Sequence, residues 1–188
     1  FGAYVNPPVY PVYDPENTAA YPVRFGSPQT YGFGNQYGNP VAAAYYSDNF
    51  EKGNKLVFNG YAEFYPVKNK LTFKFSYNQD LSNWTSRGYT PAFNVGGSQG
   101  VRKSSLSKTF GNSSKQIIDN LLTYRDQKGG LSYTFMVGQS TRIERWETLT
   151  GSAIDVPGLD EQSKYLVLGS FRDRNASDGA GRFNGVSF

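Results

Sequence analysis

Asp119 and Asp126, and the adjacent Asp160 and Glu161, are the side chains whose type would suit acid–base cleavage of a glycosidic bond. Neither set carries the fixed separation that reaction needs, because neighbouring carboxylates on a polar connection hold no defined geometry. The chain has His 0 and Cys 0, so a Ser-His-Asp or Cys-His unit cannot be built. Zinc sites with nitrogen or sulfur ligands, disulfides and thiol redox chemistry fall away for the same reason. We expect no enzyme, no metal centre and no cofactor. Arg102, Lys103, Lys108 and Lys115 gather in a Ser/Gly-rich stretch within a chain of formal net charge +4. Such a group is more often a solvated loop than an anion site, and no nucleic-acid partner is expected.

The aromatic residues offer a different chemistry. Trp84, Tyr89, Phe93 and Trp146 carry flat apolar faces with polar edges, suited to stacking on sugar rings or to seating a lid protein. Arg142 and Glu144 stand close enough to Trp146 in sequence to be polar partners. The competing account is that these rings pack loops against one another. The sequons Asn83-Trp84-Thr85 and Asn112-Ser113-Ser114 are expected by chance in so Asn- and Ser-rich a chain.

What must position these residues is a sheet. Aromatics make up 16% of the 188 residues, with Gly 21 and Pro 10, a pairing that favours short strands and turns over helices. Pro7, Pro8, Pro11, Pro15, Pro22, Pro28 and Pro40 punctuate 1–50, which reads as a long Pro/Tyr-rich loop. Two β-hairpins are expected within 51–146. Leu56, Phe58, Ala62 and Phe64 alternate with Val57, Asn59, Tyr61 and Glu63; after a turn near Val67-Lys68, Leu71, Phe73, Phe75 and Tyr77 alternate with Thr72, Lys74, Ser76 and Asn78. The apolar set switches from even to odd numbers across the turn, so the loop has an even length, and Leu71 is expected opposite Phe64. A second unit, Ile117 to Asp126 and Leu131 to Ser140 around Gly129-Gly130, obeys the same rule. Leu81 to Gln116 is expected to be a long loop. Residues 147–188 are expected to be another loop and the start of a further strand near Arg182.

Short turns alternating with long connections suit an outer-membrane barrel, whose strands need about ten residues, better than a compact soluble domain. The fold class expected is all-β, with antiparallel up-and-down strands forming part of a transmembrane barrel. Asn59, Glu63, Lys74, Asn78 and Asp80 would face the lumen and the Phe/Tyr set the lipid. Phe64, Phe73, Tyr124 and Tyr133, near the tight turns, would form an interfacial girdle. The long loops would share the extracellular side. No basic and apolar leader is seen at the first residues, and no apolar run is long enough for a membrane helix. A secreted carbohydrate-binding β-sandwich, using the same exposed aromatics, is the alternative from another class.

Longer strings carry a resemblance. Asp119-Asn120-Leu121-Leu122-Thr123-Tyr124, then Gly138 through Trp146 (GQSTRIERW), then Val156-Pro157-Gly158-Leu159 resemble the middle of the barrel in SusC/RagA-type TonB-dependent outer-membrane transporters. Asn6-Pro7, Tyr10 to Asp14 and Asn39-Pro40-Val41-Ala42 look like the loop that precedes it, and Tyr61 to Phe64 with Leu71 to Lys74 is similar to that family's hairpin. The resemblance implies a barrel of 22 strands in the whole protein, of which this chain would be a fragment. It also implies import of an oligosaccharide or peptide across the outer membrane of a Gram-negative bacterium. The implied partners are a SusD-like surface lipoprotein, outer-membrane lipid, and the TonB complex acting through parts outside this chain.

Overall fold

Alternation of side chains with period two dominates the chain, and strands dominate its structure. The computed structural model describes residues 10–34, 37–158 and 164–188. Asn6-Pro7, Leu159, and the carboxylates Asp160 and Glu161 lie outside the described residues. Among the described residues seven strands follow in chain order: β1 (Asp48–Val67), β2 (Leu71–Thr90), β3 (Phe93–Gly96), β4 (Gln99–Val101), β5 (Ser105–Lys128), β6 (Leu131–Ile154) and β7 (Arg174–Ser187). The long strands form an antiparallel sheet in the order β1-β2-β5-β6-β7, and β3 and β4 form a small hairpin of their own. The fold is all-β and barrel-like in part, as the sequence implied. One short helix, α1 (Pro40–Tyr45), follows the Asn39 cap, whose side chain accepts from the Val41 and Ala42 N–H groups while Pro40 occupies the first turn. No described helix is long and apolar enough to cross a membrane, which leaves crossing by strands open.

The strands are longer than the alternation alone suggested. β1 and β2 have 20 residues each, and β5 and β6 have 24. The stretch expected as a loop from Leu81 to Gln116 is therefore strand as far as Thr90 and again from Ser105. Its Ser, Asn and Gly residues carry no apolar alternation, since neither face is greasy there, and only ladder pairing reveals the strand. For the same reason β6 runs on to Ile154 and β7 begins at Arg174.

Both hairpin turns have even length, and the geometry explains each. Asn69 has φ 64, and the Lys70 N–H donates to the Val67 carbonyl at 3.1 Å, closing a tight turn on Lys68-Asn69. The register differs from the one expected: Phe64 stacks on Phe73 at 6.3 Å and Glu63 pairs with Lys74, so Leu71 is not opposite Phe64. The register is shifted by two residues and the turn sits one residue later than expected, because parity fixes only whether the loop length is odd or even. Gly129 and Gly130, at φ 60 and 84, make the two-residue turn between β5 and β6. Positive φ at both central positions matches strand twist and is open to glycine at no steric cost.

The chain divides into two units, 1–51 with 86–109 and 150–177, and 52–85 with 110–149 and 178–188. The first contains the buried cores. Phe25, Ala42, Tyr46, Phe93 and Val95 form one cluster, and Tyr89, Leu106, Ala153 and Val156 form another, with Leu166 against it. The Pro-rich loop is thus ordered around aromatics, with Phe25 ringed by Tyr13, Tyr45 and Tyr46 at 5.1, 5.5 and 5.6 Å. Buried amides replace missing ladder bonds: Asn17 Nδ2 donates to the Phe25 and Val95 carbonyls, and Asn39 Nδ2 to those of Val12 and Gly26.

In the same unit Asp48 accepts from Lys164 at 2.5 Å and from Arg87 at 3.2 Å. The Lys164 hydrogen bond, with help from Arg87, holds the Asp48 carboxyl below its ordinary 3.8 against the opposing effect of burial. A depressed folded value means the contribution is complete above about pH 4 and fades as pH falls through the lower folded value. The protection factor of amides in 164–173, the intrinsic exchange rate set against the observed rate at the same pH, should accordingly fall as pH drops from 4 to 2. In Asp48→Asn it should already be reduced at pH 7. Equal protection in both proteins at pH 7 would remove Asp48 as the anchor of that segment.

Candidate functional site

The second unit presents two unlike faces. On one, Phe58 meets Tyr77 at 6.2 Å, Phe64 meets Phe73, and Tyr124 meets Tyr133, which in turn meets Phe135 at 5.7 Å. The first three pairs cross between strands and the Tyr133–Phe135 pair runs along β6, so that together they form an apolar ladder. Much of it is exposed: Phe64 56%, Phe135 65% and Leu131 69%. An apolar surface of this extent needs a covering phase or partner. Along β6 this face reads Leu131, Tyr133, Phe135 and Val137, then the uncharged polar Gln139 and Thr141, then Ile143, and becomes charged at Arg145 and Glu147. In β7 the matching positions are Val186 and then Asn184 and Arg182. From Leu131 to Ile143 the stretch has thirteen residues, which on a strand tilted by about 45° spans roughly 29 Å, the order of the 25 Å apolar belt of an outer-membrane barrel.

The opposite face is charged and internally paired. Lys55 reaches Asp80 at 2.9 Å, and Lys74 lies 3.6 Å from Glu63 and over the Tyr61 ring. Asn59, Asn78 and Asp80 line one hollow with Lys115. Lys115 also approaches Glu144 at 3.5 Å, Arg142 donates to Glu144 at 2.6 Å, and Ser140 donates to Asp119. Alternation along paired strands thus gathers Asn59, Glu63, Lys74, Asn78 and Asp80 on one face.

Trp84 and Trp146 belong to that charged face. Each indole lies over a glycine of the next strand: a Cβ on Gly111 would stand 2.4 Å from Trp84 Cε2, and one on Gly181 would stand 2.1 Å from Trp146 Cζ2. Each ring takes the space a side chain on the neighbouring strand would fill, covering backbone as aromatic residues do over strand glycines. Arg142, beside Glu144, also stacks its guanidinium over Phe183 at 5.8 Å. This brings Trp84, Trp146, Arg142 and Glu144 to one surface with the charged residues. Tyr89 and Phe93 belong to the buried clusters of the first unit, with exposures of 6% and 7%, and serve there as packing. Nothing in the sequence signals this, because their core partners Val156 and Leu166 for Tyr89, and Phe25 and Tyr46 for Phe93, are remote in the chain. The residues that sequence reasoning missed are the two glycines; alternation treats Gly as a gap, whereas here each is the seat of a ring. Gly111→Val and Gly181→Val should each displace an indole into water. The expected result is a red shift of tryptophan emission with the amount of assembled protein little changed, and unchanged spectra would dismiss the close approach.

The described residues contain no cluster of acidic side chains able to hold a metal ion. No family model matches the sequence, and no curated protein matches it. Among solved structures, the chain is similar to a chain in the structure of the RagAB peptide transporter. The TM-score is 0.67 and the identity 12%, over 79% of this chain and 16% of that one. It is also similar to a chain of the RagAB peptide importer in its open-open state, with TM-score 0.66 and identity 13% over the same shares. This chain spans about a sixth of the length of those chains, and what the likeness shows is the fold: a run of antiparallel strands of the kind found in a transporter's barrel.

Proposed function

We propose that this chain is wall and outer loops of a TonB-dependent, SusC-like outer-membrane transporter that imports peptides or oligosaccharides. The observation carrying the reading is the apolar ring ladder, exposed on one face and backed by a charged, ion-paired face. Lipid would cover the first face and an aqueous lumen the second. β1 and β7 end the sheet with one edge of each unpaired among the described residues, and in lipid such edges must be closed by further strands. That requirement supports a wall segment within a larger barrel. The fold shared with the RagAB peptide transporter makes a peptide the first substrate to test and a surface lipoprotein the first partner. No chemistry is assigned to the segment; its residues bind, line and seal.

The test is made on the whole protein in its native envelope. It should fractionate with the outer membrane and require detergent for extraction, and uptake of labelled oligopeptide should fall to background when TonB is deleted. A protein that stays in solution without detergent would instead favour a secreted carbohydrate-binding module. Saturable oligosaccharide uptake with no peptide uptake would change the substrate and keep the transporter.

A further inference from the structure

A groove of ≈ 750 Å³ crosses β2, β5, β6 and β7 within the second unit, lined by Asn83, Asn112, Ser114, Arg145, Glu147 and Arg182 among others. These residues alternate along their strands and share the face of Phe73 and Phe135, opposite the Trp84 and Trp146 indoles. Ser114 is fixed on that face by the Gln79 side chain, which donates to its hydroxyl at 3.0 Å beside Tyr77. The groove begins where the apolar band ends: Ile143 is followed on this face by Arg145, and Val186 is preceded by Asn184 and Arg182. The Arg145 guanidinium has no hydrogen-bond or ion-pair partner among the described residues. Arg182 uses Nε on Asn184 Oδ1 at 3.0 Å, leaving its terminal nitrogens available.

Resting on the transporter reading above, we infer that this groove holds the phosphate-bearing headgroup of an outer-leaflet lipid. The phosphates of a lipid lie just beyond its hydrocarbon, and on this face the arginines follow the last large aliphatic residues, Ile143 on β6 and Val186 on β7. Guanidinium forks match phosphate oxygens in pairs, and the amides of Asn83 and Asn112 with the Ser114 hydroxyl supply neutral partners for the remaining oxygens. Acyl chains of the same molecule would continue onto the band of rings below. Glu147 opposes an anion and leaves the lining with a single net positive charge, so it tempers the affinity and offers a variant of opposite sign.

The full-length protein, in mild detergent, is titrated with diphosphoryl lipid A and with its dephosphorylated form, bound lipid being counted by native mass spectrometry. The wild type should prefer the phosphorylated lipid. Arg145→Gln with Arg182→Gln should weaken that binding by roughly tenfold or more, Arg145→Lys with Arg182→Lys should keep part of it, and Glu147→Gln should strengthen it. Millimolar inorganic phosphate should not compete, since it lacks the acyl chains. The inference is overturned if the wild type shows no preference, if the Gln variant, extracted from the outer membrane in normal amount, binds as well as wild type, or if inorganic phosphate displaces the lipid. Should the Gln variant fail to assemble, the Glu147→Gln variant decides alone: no gain in binding overturns the inference. Fractionation separates the two levels, because a protein resident in the outer membrane without this preference loses only the headgroup site, whereas one absent from the membrane loses the transporter reading.

Discussion

Phe75→Arg should deplete the protein from the outer membrane, while Lys74→Arg and Ser76→Arg leave its amount near normal. Phe75 stands between Phe73 and Tyr77 on the apolar face, in the interior of the ring ladder. An arginine facing hydrocarbon near the bilayer midplane costs about 2–4 kcal/mol, and less toward either interface. Positions 74 and 76 lie on the charged face, where Lys74 already stands against Glu63 and Tyr61. Single cysteines at the same three positions give an independent reading. A membrane-impermeant thiol reagent should label 74 and 76 and spare 75. Uniform labelling, or equal tolerance of arginine at all three positions, would mean that the ring face meets water.

That the contrast can be drawn at single residues reflects what alternation encodes. Within the apolar band, period-two patterning has a physical cause, two solvents on two faces, so the faces and the parity of both turns were legible from Leu56 to Asp80 and from Leu131 to Ser140. Where the strands continue beyond the band the cause disappears. Asn83, Thr85, Ser105, Ser107 and Asn112 have nothing to alternate with, and their strand state rests on backbone pairing alone. Register was hidden for a related reason: parity constrains it to steps of two, and the choice among those steps belongs to turn geometry at Asn69.

The candidate site divides along the same line. Trp84, Trp146, Arg142 and Glu144 lie on long strands, where numbering determines the face, and they arrive together with Lys74 and Asp80. Tyr89 lies near the end of β2 and Phe93 opens β3, where tertiary packing decides orientation. Both turn inward to meet residues far away in sequence. An aromatic residue among polar neighbours looks the same in sequence whether it will bind a ligand or plug a small core.

The Pro-rich segment shows how much such a small core can hold, and Phe25→Ala is its test. Phe25 is 0% exposed, contacts three tyrosine rings, and shares its cluster with Ala42, Phe93 and Val95. Its backbone carbonyl accepts from Asn17, whose amide also binds the Val95 carbonyl, so ring and amide together join 10–34 to β3. Truncating a fully buried Phe to Ala costs about 3–5 kcal/mol, and relaxation around the hole recovers little where the neighbours are stiff rings. If the segment opens as a local unit, protection of its amides should fall by about two to four orders of magnitude. Phe25→Leu, which keeps most of the volume, should lose far less. The ladder of β1, β2, β5 and β6 in the second unit should keep its protection in both variants, since none of its ring pairs involves Phe25. Hydrogen exchange on the assembled protein reads each region separately. Protection in 10–34 that is unchanged by Phe25→Ala would show that backbone bridges, such as those of Tyr13 with Phe25 and Tyr21 with Asn94, hold this segment without its aromatic centre.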